Sequence, residues 1–216
     1  FGPASRAYIN LAAVIDNLGE VRLARDYRKR AIQLGKKVGG ISDESLIRQA
    51  IAKASLWLAD FDDAEHLIEE MRQYSRQKDA YLDDSTLNLL FLEGNLSRFK
   101  GEFNNAIEIF SDLADRSRQT HHEERVRQAN RALAEVIIES YLLEERKSNR
   151  VNIDIALNML GDSAHAESST ENSIDIASYC LLSNIHALMG NIDRAEADHK
   201  AAKDLYIHHP IMEDRA

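Results

Sequence analysis

From Tyr8 to Ala31 the chain alternates apolar and polar positions with a helical period, then breaks at Gly19 and resumes the same rhythm. Tyr8, Leu11, Ala12 and Ile15 fall on one helical face before the break. Val21, Ala24, Tyr27, Ala31 and Leu34 do so after it. Two short amphipathic helices folded against each other at a glycine are the simplest object with this pattern. The phrase returns along the chain. Ala12, Gly19, Ala24 and Ala31 are answered by Ala52, Ala59, Ala64 and Met71. Gly94, Gly101, Ala106 and Leu113 follow, and then Ser183, Gly190, Ala195 and Ala202. Small residues at one-turn and two-turn spacings mark the faces where paired helices approach most closely, and one hairpin cannot bury its apolar face alone whereas a stack can.

The small residue that opens each return helix is Ala24, Ala64, Ala106, Ala156 and Ala195, at intervals of 40, 42, 50 and 39 residues. With an insertion around Lys147 allowed for, the period is near 40 and five hairpins of two helices are expected. They fall at about 5–39, 42–79, 82–119, 121–162 and 170–208, and together they are read as one domain over 1–216. Ser5 is expected to cap the first helix, Ser42 the third and Thr170 the ninth. Gly39 and Gly40 are expected to end the second. Thr120 with Glu123 reads as a capping box for an unusually long seventh helix, about 121–146. Lys147 to Arg150 reads as an enlarged hairpin tip, and Gly161 to Ser169 as a polar loop. Gly101 is expected to be required because a side chain would crowd the turn.

Composition sharpens this reading. The only prolines are Pro3 and Pro210, near the ends, and glycine occurs nine times in 216 residues, so little interrupts helices between the ends. A net charge of −9 sets the surface field against nucleic acid, and the basic runs Arg22–Lys37 and Arg116–Arg131 read as solvated helix faces. The lone Cys180 allows no internal disulfide and fits a reducing compartment. It sits in an apolar run, where a packed or groove-lining role outweighs that of a nucleophile. No run reaches the length of a membrane span. The chain opens without an initiator methionine or a secretory signal, so a cytoplasmic segment of a longer protein is expected.

Candidate chemistry is sparse. His121 and His122 are adjacent, about 100° apart on a helix, and cannot chelate one ion in simple helical geometry; capping accounts for them better. His66, His186 and His199 lack a ligand-type partner at helical spacing, apart from acids beside His66, and His165, His208 and His209 fall in loops or at the terminus. No nucleophile elbow or phosphate-binding glycine loop is present. Neither a cofactor, a metal nor an enzymatic activity is expected from these residues.

The repeated small-residue and glycine pattern resembles the tetratricopeptide repeat (TPR), in a longer-period form than the shortest 34-residue repeat. The first, third and fifth copies match it well; the second has Ala59 in place of the turn glycine. This resemblance implies an all-α, right-handed superhelical solenoid of about five antiparallel helix hairpins, acting as a non-catalytic scaffold that binds a protein or peptide. The long-period variant occurs in bacterial regulators and signalling proteins, which implies a sensory or adaptor role. The resemblance places the first helix of each hairpin along a groove. On that register the groove carries Arg6, Ile9, Ala13, Asp16 and Asn17, then Leu46, Gln49, Lys53 and Trp57. Asn88, Phe91, Asn95, Arg98 and Phe99 follow from the third hairpin, and Cys180, Asn184 and Leu188 from the fifth. In this setting the asparagines would bond a peptide backbone, Arg98 or Lys53 would hold a carboxylate, and the aromatics would grip apolar side chains. A lysine and an asparagine one turn apart serve as a carboxylate clamp in part of the family; those slots hold Ile9 and Ala13 here. Alternatives are a self-association module, suggested by Ile207, Ile211 and Met212, and a helical enzyme with an atypical site.

Overall fold

The computed structural model describes residues 3–37, 44–77, 84–143, 153–158, 160 and 172–208. Helices occupy nearly all of them: α1 (Pro3–Asn17), α2 (Val21–Lys37), α3 (Glu44–Trp57), α4 (Phe61–Gln77), α5 (Asp84–Phe99), α6 (Phe103–Gln119) and α7 (Glu123–Leu143). A helical stretch at 153–158 is α8, followed by α9 (Asn172–Leu188) and α10 (Ile192–His208). No strand occurs among the described residues. The expected stop at Gly39 and Gly40, the caps Ser42 and Thr170, the tip at Lys147 to Arg150 and the loop from Gly161 to Ser169 lie outside the described residues. So do His165, His209, Ile211 and Met212.

One connection recurs five times. At Gly19, Ala59, Gly101, His121 and Gly190 the backbone enters the left-handed region, with φ between 56° and 82°. At each, the amide of that residue donates to the carbonyl three residues back, and the next amide donates to the carbonyl five residues back. Examples are Gly101 N–H to Arg98 and Glu102 N–H to Ser97, at 3.0 and 2.9 Å. These paired bonds satisfy carbonyls that the helix end would otherwise leave open. The residue after the left-handed one then accepts the first bond of the following helix: Glu20 from Ala24, Asp60 from Ala64, Glu102 from Ala106, His122 from Val126 and Asn191 from Ala195. The C-terminal cap of one helix thus touches the N-terminal cap of the next, with no spare residue.

This pattern overturns two expected caps. Thr120 does not open α7: its Oγ1 donates backwards to the Arg116 and Ser117 carbonyls at 3.1 and 3.2 Å, closing α6, and His122 occupies the cap position. A threonine hydroxyl within reach of carbonyls three and four residues back satisfies itself there, which removes it from capping duty. Ser5 lies inside α1 and is fully buried, donating to the Ala31 carbonyl of α2 at 2.9 Å. Pro3 takes the opening position, where its missing amide proton is no loss. The reason for glycine at the turns is also corrected. A Cβ at Gly19, Gly101 or Gly190 would meet nothing within 4 Å; the requirement is the positive φ, not space.

The chain divides into two compact units, Phe1–Ile109 and Phe110–Ala216. In the first, α1 pairs with α2 through fully buried Ser5, Ala12, Ala24 and Ala31. Tyr8 and Tyr27 pack with their rings 5.5 Å apart, and Arg28 pairs with Asp16 at 2.7 Å. Helices α2 to α5 then share a core built from Ile32, Ile47, Ile51, Ile68, Met71, Leu89, Leu92 and Leu96, with Ala52 and Ala64 at the close approach. In the second unit α7 contributes buried Ala129, Leu133, Val136 and Ile137, and α9 packs on both α7 and α10. Leu142, expected inside, is exposed.

Candidate functional site

The first unit holds the groove-forming helices α3 and α5 side by side. On α3 the inward stripe Ile47, Ile51, Ala54 and Ser55 is buried, which rotates Leu46, Gln49, Lys53 and Trp57 towards the other faces. Lys53 is exposed and Trp57 is 74% exposed at the last helical position. Gln49 is half-buried, and its Nε2 is shielded from solvent with no hydrogen-bond partner among the described residues. A sheltered amide donor left open is a place where an acceptor would be bound.

On α5, Leu87, Leu89, Leu92, Gly94 and Leu96 are buried, while Asn88, Phe91, Asn95 and Arg98 are half-buried. Asn95 differs from expectation: its Nδ2 donates to the Phe91 carbonyl one turn back at 2.7 Å, so part of its donor capacity is already used within the helix. The Arg98 guanidinium lies 5.8 Å from the centre of the Phe99 ring. Phe99 stacks on Phe61 of α4 at 6.3 Å, so it serves the joint between the second and third hairpins as well as its half-exposed face.

The outer members of the expected groove are placed less favourably. Ile9 packs against the shared core of α2 to α5, and Asp16 is held by Arg28; neither is a free groove residue. Asn17 and Ala13 are exposed. In the second unit Asn184 and Cys180 are exposed on α9 and Leu188 is half-buried. A packed cysteine, one of the two roles expected, does not occur.

Long-range polar contacts tie the hairpins of the first unit together, and periodicity does not reveal them. Lys29 of α2 donates to both carboxylate oxygens of Asp63 at 2.7 and 2.8 Å, Ser55 donates to the same group at 2.6 Å, and Arg25 reaches Asp60 at 2.8 Å. Burial alone would raise the Asp63 pKa; the hydrogen bonds from Lys29 and Ser55 and the charges of Lys29 and Arg25 outweigh it and hold the carboxyl below its ordinary value. A cleft of about 410 Å³ lies between α4, α5 and the start of α6, lined among others by Glu65, Glu69, Arg72, Glu93, Lys100 and Asn105. Its cations are satisfied from within: Arg72 by Glu69 and Glu93, and Lys100 by Glu65 at 2.7 Å. Although burial opposes it, the two glutamates push the Arg72 pKa up. In the second unit His186 is buried, with Nδ1 2.6 Å from Asp198 Oδ2 of α10. The partner lies twelve residues away across the hairpin, which is why helical spacing misses it. Among the described residues, no group of three or more His, Cys, Asp or Glu is placed to hold a metal ion, and no helix is long and apolar enough to cross a membrane.

Antiparallel helix pairs closed by one recurring left-handed turn, with small residues at every close approach, define a TPR-like helical repeat fold. Solved structures agree. The kinesin light chain TPR-like repeats of Podosopora anserina superpose with a TM-score of 0.66 at 15% identity, covering 95% of this chain and 97% of that one. A point variant of the same repeats gives 0.67 at 15% identity over 93% of each chain. BtubC (BKLC) from P. vanneervenii gives 0.68 at 16% identity, over 93% of this chain and 80% of that one. At such identities the likeness is one of fold. No family model matches the sequence, and no curated protein does.

Proposed function

We propose that this chain is a non-catalytic scaffold that captures an extended peptide or protein segment, and that α3 and α5 of the first unit carry the binding face. The observation behind this reading is the company kept by Gln49: a sheltered amide with an open donor, one turn from exposed Lys53 and two turns from Trp57 on the same helix. An extended segment brings backbone carbonyls for the amide and for Asn88. It also brings apolar side chains for Trp57 and Phe91, and a carboxylate for Lys53 or Arg98. The helices that bear these groups are fixed by the common core, so little ordering accompanies capture and a few anchors suffice. Asn17 and Asn184 belong to the same proposal as flanking contacts from their own hairpins. A sensory or adaptor role in a bacterial regulatory protein, in the cytoplasm, completes the reading, with 1–216 acting as one repeat domain.

The test is selection of binders from a displayed library of random extended peptides, followed by titration of the winners. Trp57→Ala and the pair Asn95→Ala with Arg98→Ala are each expected to weaken capture at least about tenfold, the effect of one lost hot-spot contact, at unchanged helicity. Equal affinity of all three proteins for the selected peptides overturns the placement of the site.

A further inference from the structure

Helix α1 presents an apolar stripe that its own unit leaves uncovered. Ala7, Leu11, Val14 and Leu18 follow one another at four, three and four residues, the spacing of a single helical face. Leu11 is 44%, Val14 58% and Leu18 75% exposed. The helical period puts Leu11 inside with Tyr8 and Ala12, and its exposure has a cause that the repeat itself discloses.

The left-handed turn residue gives every hairpin a common origin. Counted back from it, Ala7, Leu11 and Val14 correspond to Ile47, Ile51 and Ala54 in α3, and to Ser178, Leu182 and Ile185 in α9. All six are buried. In α5 the counterparts are buried Leu89 and Leu96, with Glu93 paired to Arg72 between them. In α3 and α5 this face rests against the preceding return helix, α2 and α4 respectively. The stripe on α1 is therefore the standard inter-hairpin surface with its cover absent. Repeat proteins ordinarily finish with a polar outer face, and an uncovered aliphatic one marks an interface.

The chain itself offers two candidate covers. The positions through which α2 meets its neighbour are Arg25, Lys29 and Ile32; in α10 they are Glu196, Lys200 and Lys203. Setting these charges against Leu11 and Leu18 would strand them on aliphatic surface, which disfavours head-to-tail stacking. A second α1 is apolar at every matching point. We propose that two copies of this chain associate through α1, with Leu11, Val14 and Leu18 packed against the same residues of the partner across a two-fold axis. Such a contact closes on itself and stops at two copies.

The test is sedimentation equilibrium of the chain over a series reaching about 1 mM, the range in which contacts below standard interface size exchange. The mass is expected to rise from one copy towards two and no further. The Leu11→Glu and Val14→Glu double variant is expected to stay at one copy, with an unchanged far-UV circular dichroism spectrum because both side chains already face solvent. Ile207→Glu, on the exposed side of α10, is expected to dimerise as the parent does. A parent that remains a single copy throughout overturns the proposal and assigns the stripe to a helix of another polypeptide. So does a double variant that still pairs, and so does a mass climbing past two.

Discussion

Asp63 shows how one side chain can join two hairpins. It stands in the first turn of α4, where the helix dipole favours a carboxylate, and draws hydrogen bonds from Lys29 of α2 and Ser55 of α3. The linkage has a definite sign. Its folded pKa is depressed relative to the unfolded chain, so the stabilisation is fully present above the ordinary aspartate value of 3.8 and fades as pH falls through the lower folded value. The group is partly exposed and solvent screens part of the effect, which places the contribution at about 1 kcal/mol. Asp63→Asn is expected to lower the melting temperature at pH 7 and to flatten the dependence of stability on pH below about 4. Parallel thermal melts of parent and variant from about pH 7 to about pH 2.5 would show it, and identical acid profiles would remove Asp63 from the account.

At the scale of the helix pair, the turn governs. Five connections use the same bonds, yet two of them place a residue with a Cβ at positive φ: Ala59 at 56° and His121 at 57°. An L-residue in that region costs about 1 kcal/mol relative to glycine, partly offset by the extra freedom glycine has when unfolded. Ala59→Gly is thus expected to stabilise the chain by up to about 1 kcal/mol, whereas Gly101→Val is expected to destabilise it by more than that, since a β-branched residue fits the region worst. Chemical denaturation reads both changes; Gly101→Val without effect would contradict the turn geometry.

The same turn explains what the sequence discloses and what it withholds. Gly19, Gly101, Gly190 and the alanines five residues beyond each are visible because a positive φ and a close helix approach each admit few residue types. The α6–α7 turn has His121 and Val126 in those slots, so it reads as a capping box at Thr120. Ser5 looks like a cap because serine suits both a cap and a tight helix contact. Within the candidate site, the stripe on α3 follows from the helical period. The internal bond of Asn95 depends on a rotamer, and the link between Lys29 and Asp63 joins residues 34 apart in the chain; periodicity encodes neither.

Across the molecule, the helix pairs in contact are neighbours in order or one apart: α1 with α2, α2 with α3, α3 with α4 and α5, α4 with α5, α7 with α9, and α9 with α10. Stability in such an arrangement is a sum of local terms with coupling between adjacent hairpins, and cooperativity can break down along the chain. Calorimetric enthalpy is accordingly expected to exceed the van't Hoff value on thermal unfolding, and amide exchange to vary hairpin by hairpin. A single transition with equal enthalpies would contradict this picture. Low sequence separation of contacts also favours rapid folding.

Because each connection fuses the end of one helix to the start of the next through identical bonds, whether within a hairpin or between α6 and α7, the six residues from Ser97 to Glu102 form a transferable part. Spliced in for Ser55 to Asp60, they would supply the missing glycine while preserving the helix phase on either side. Lengthening or shortening the polypeptide by whole hairpins then becomes an exercise in joinery with one standard corner piece.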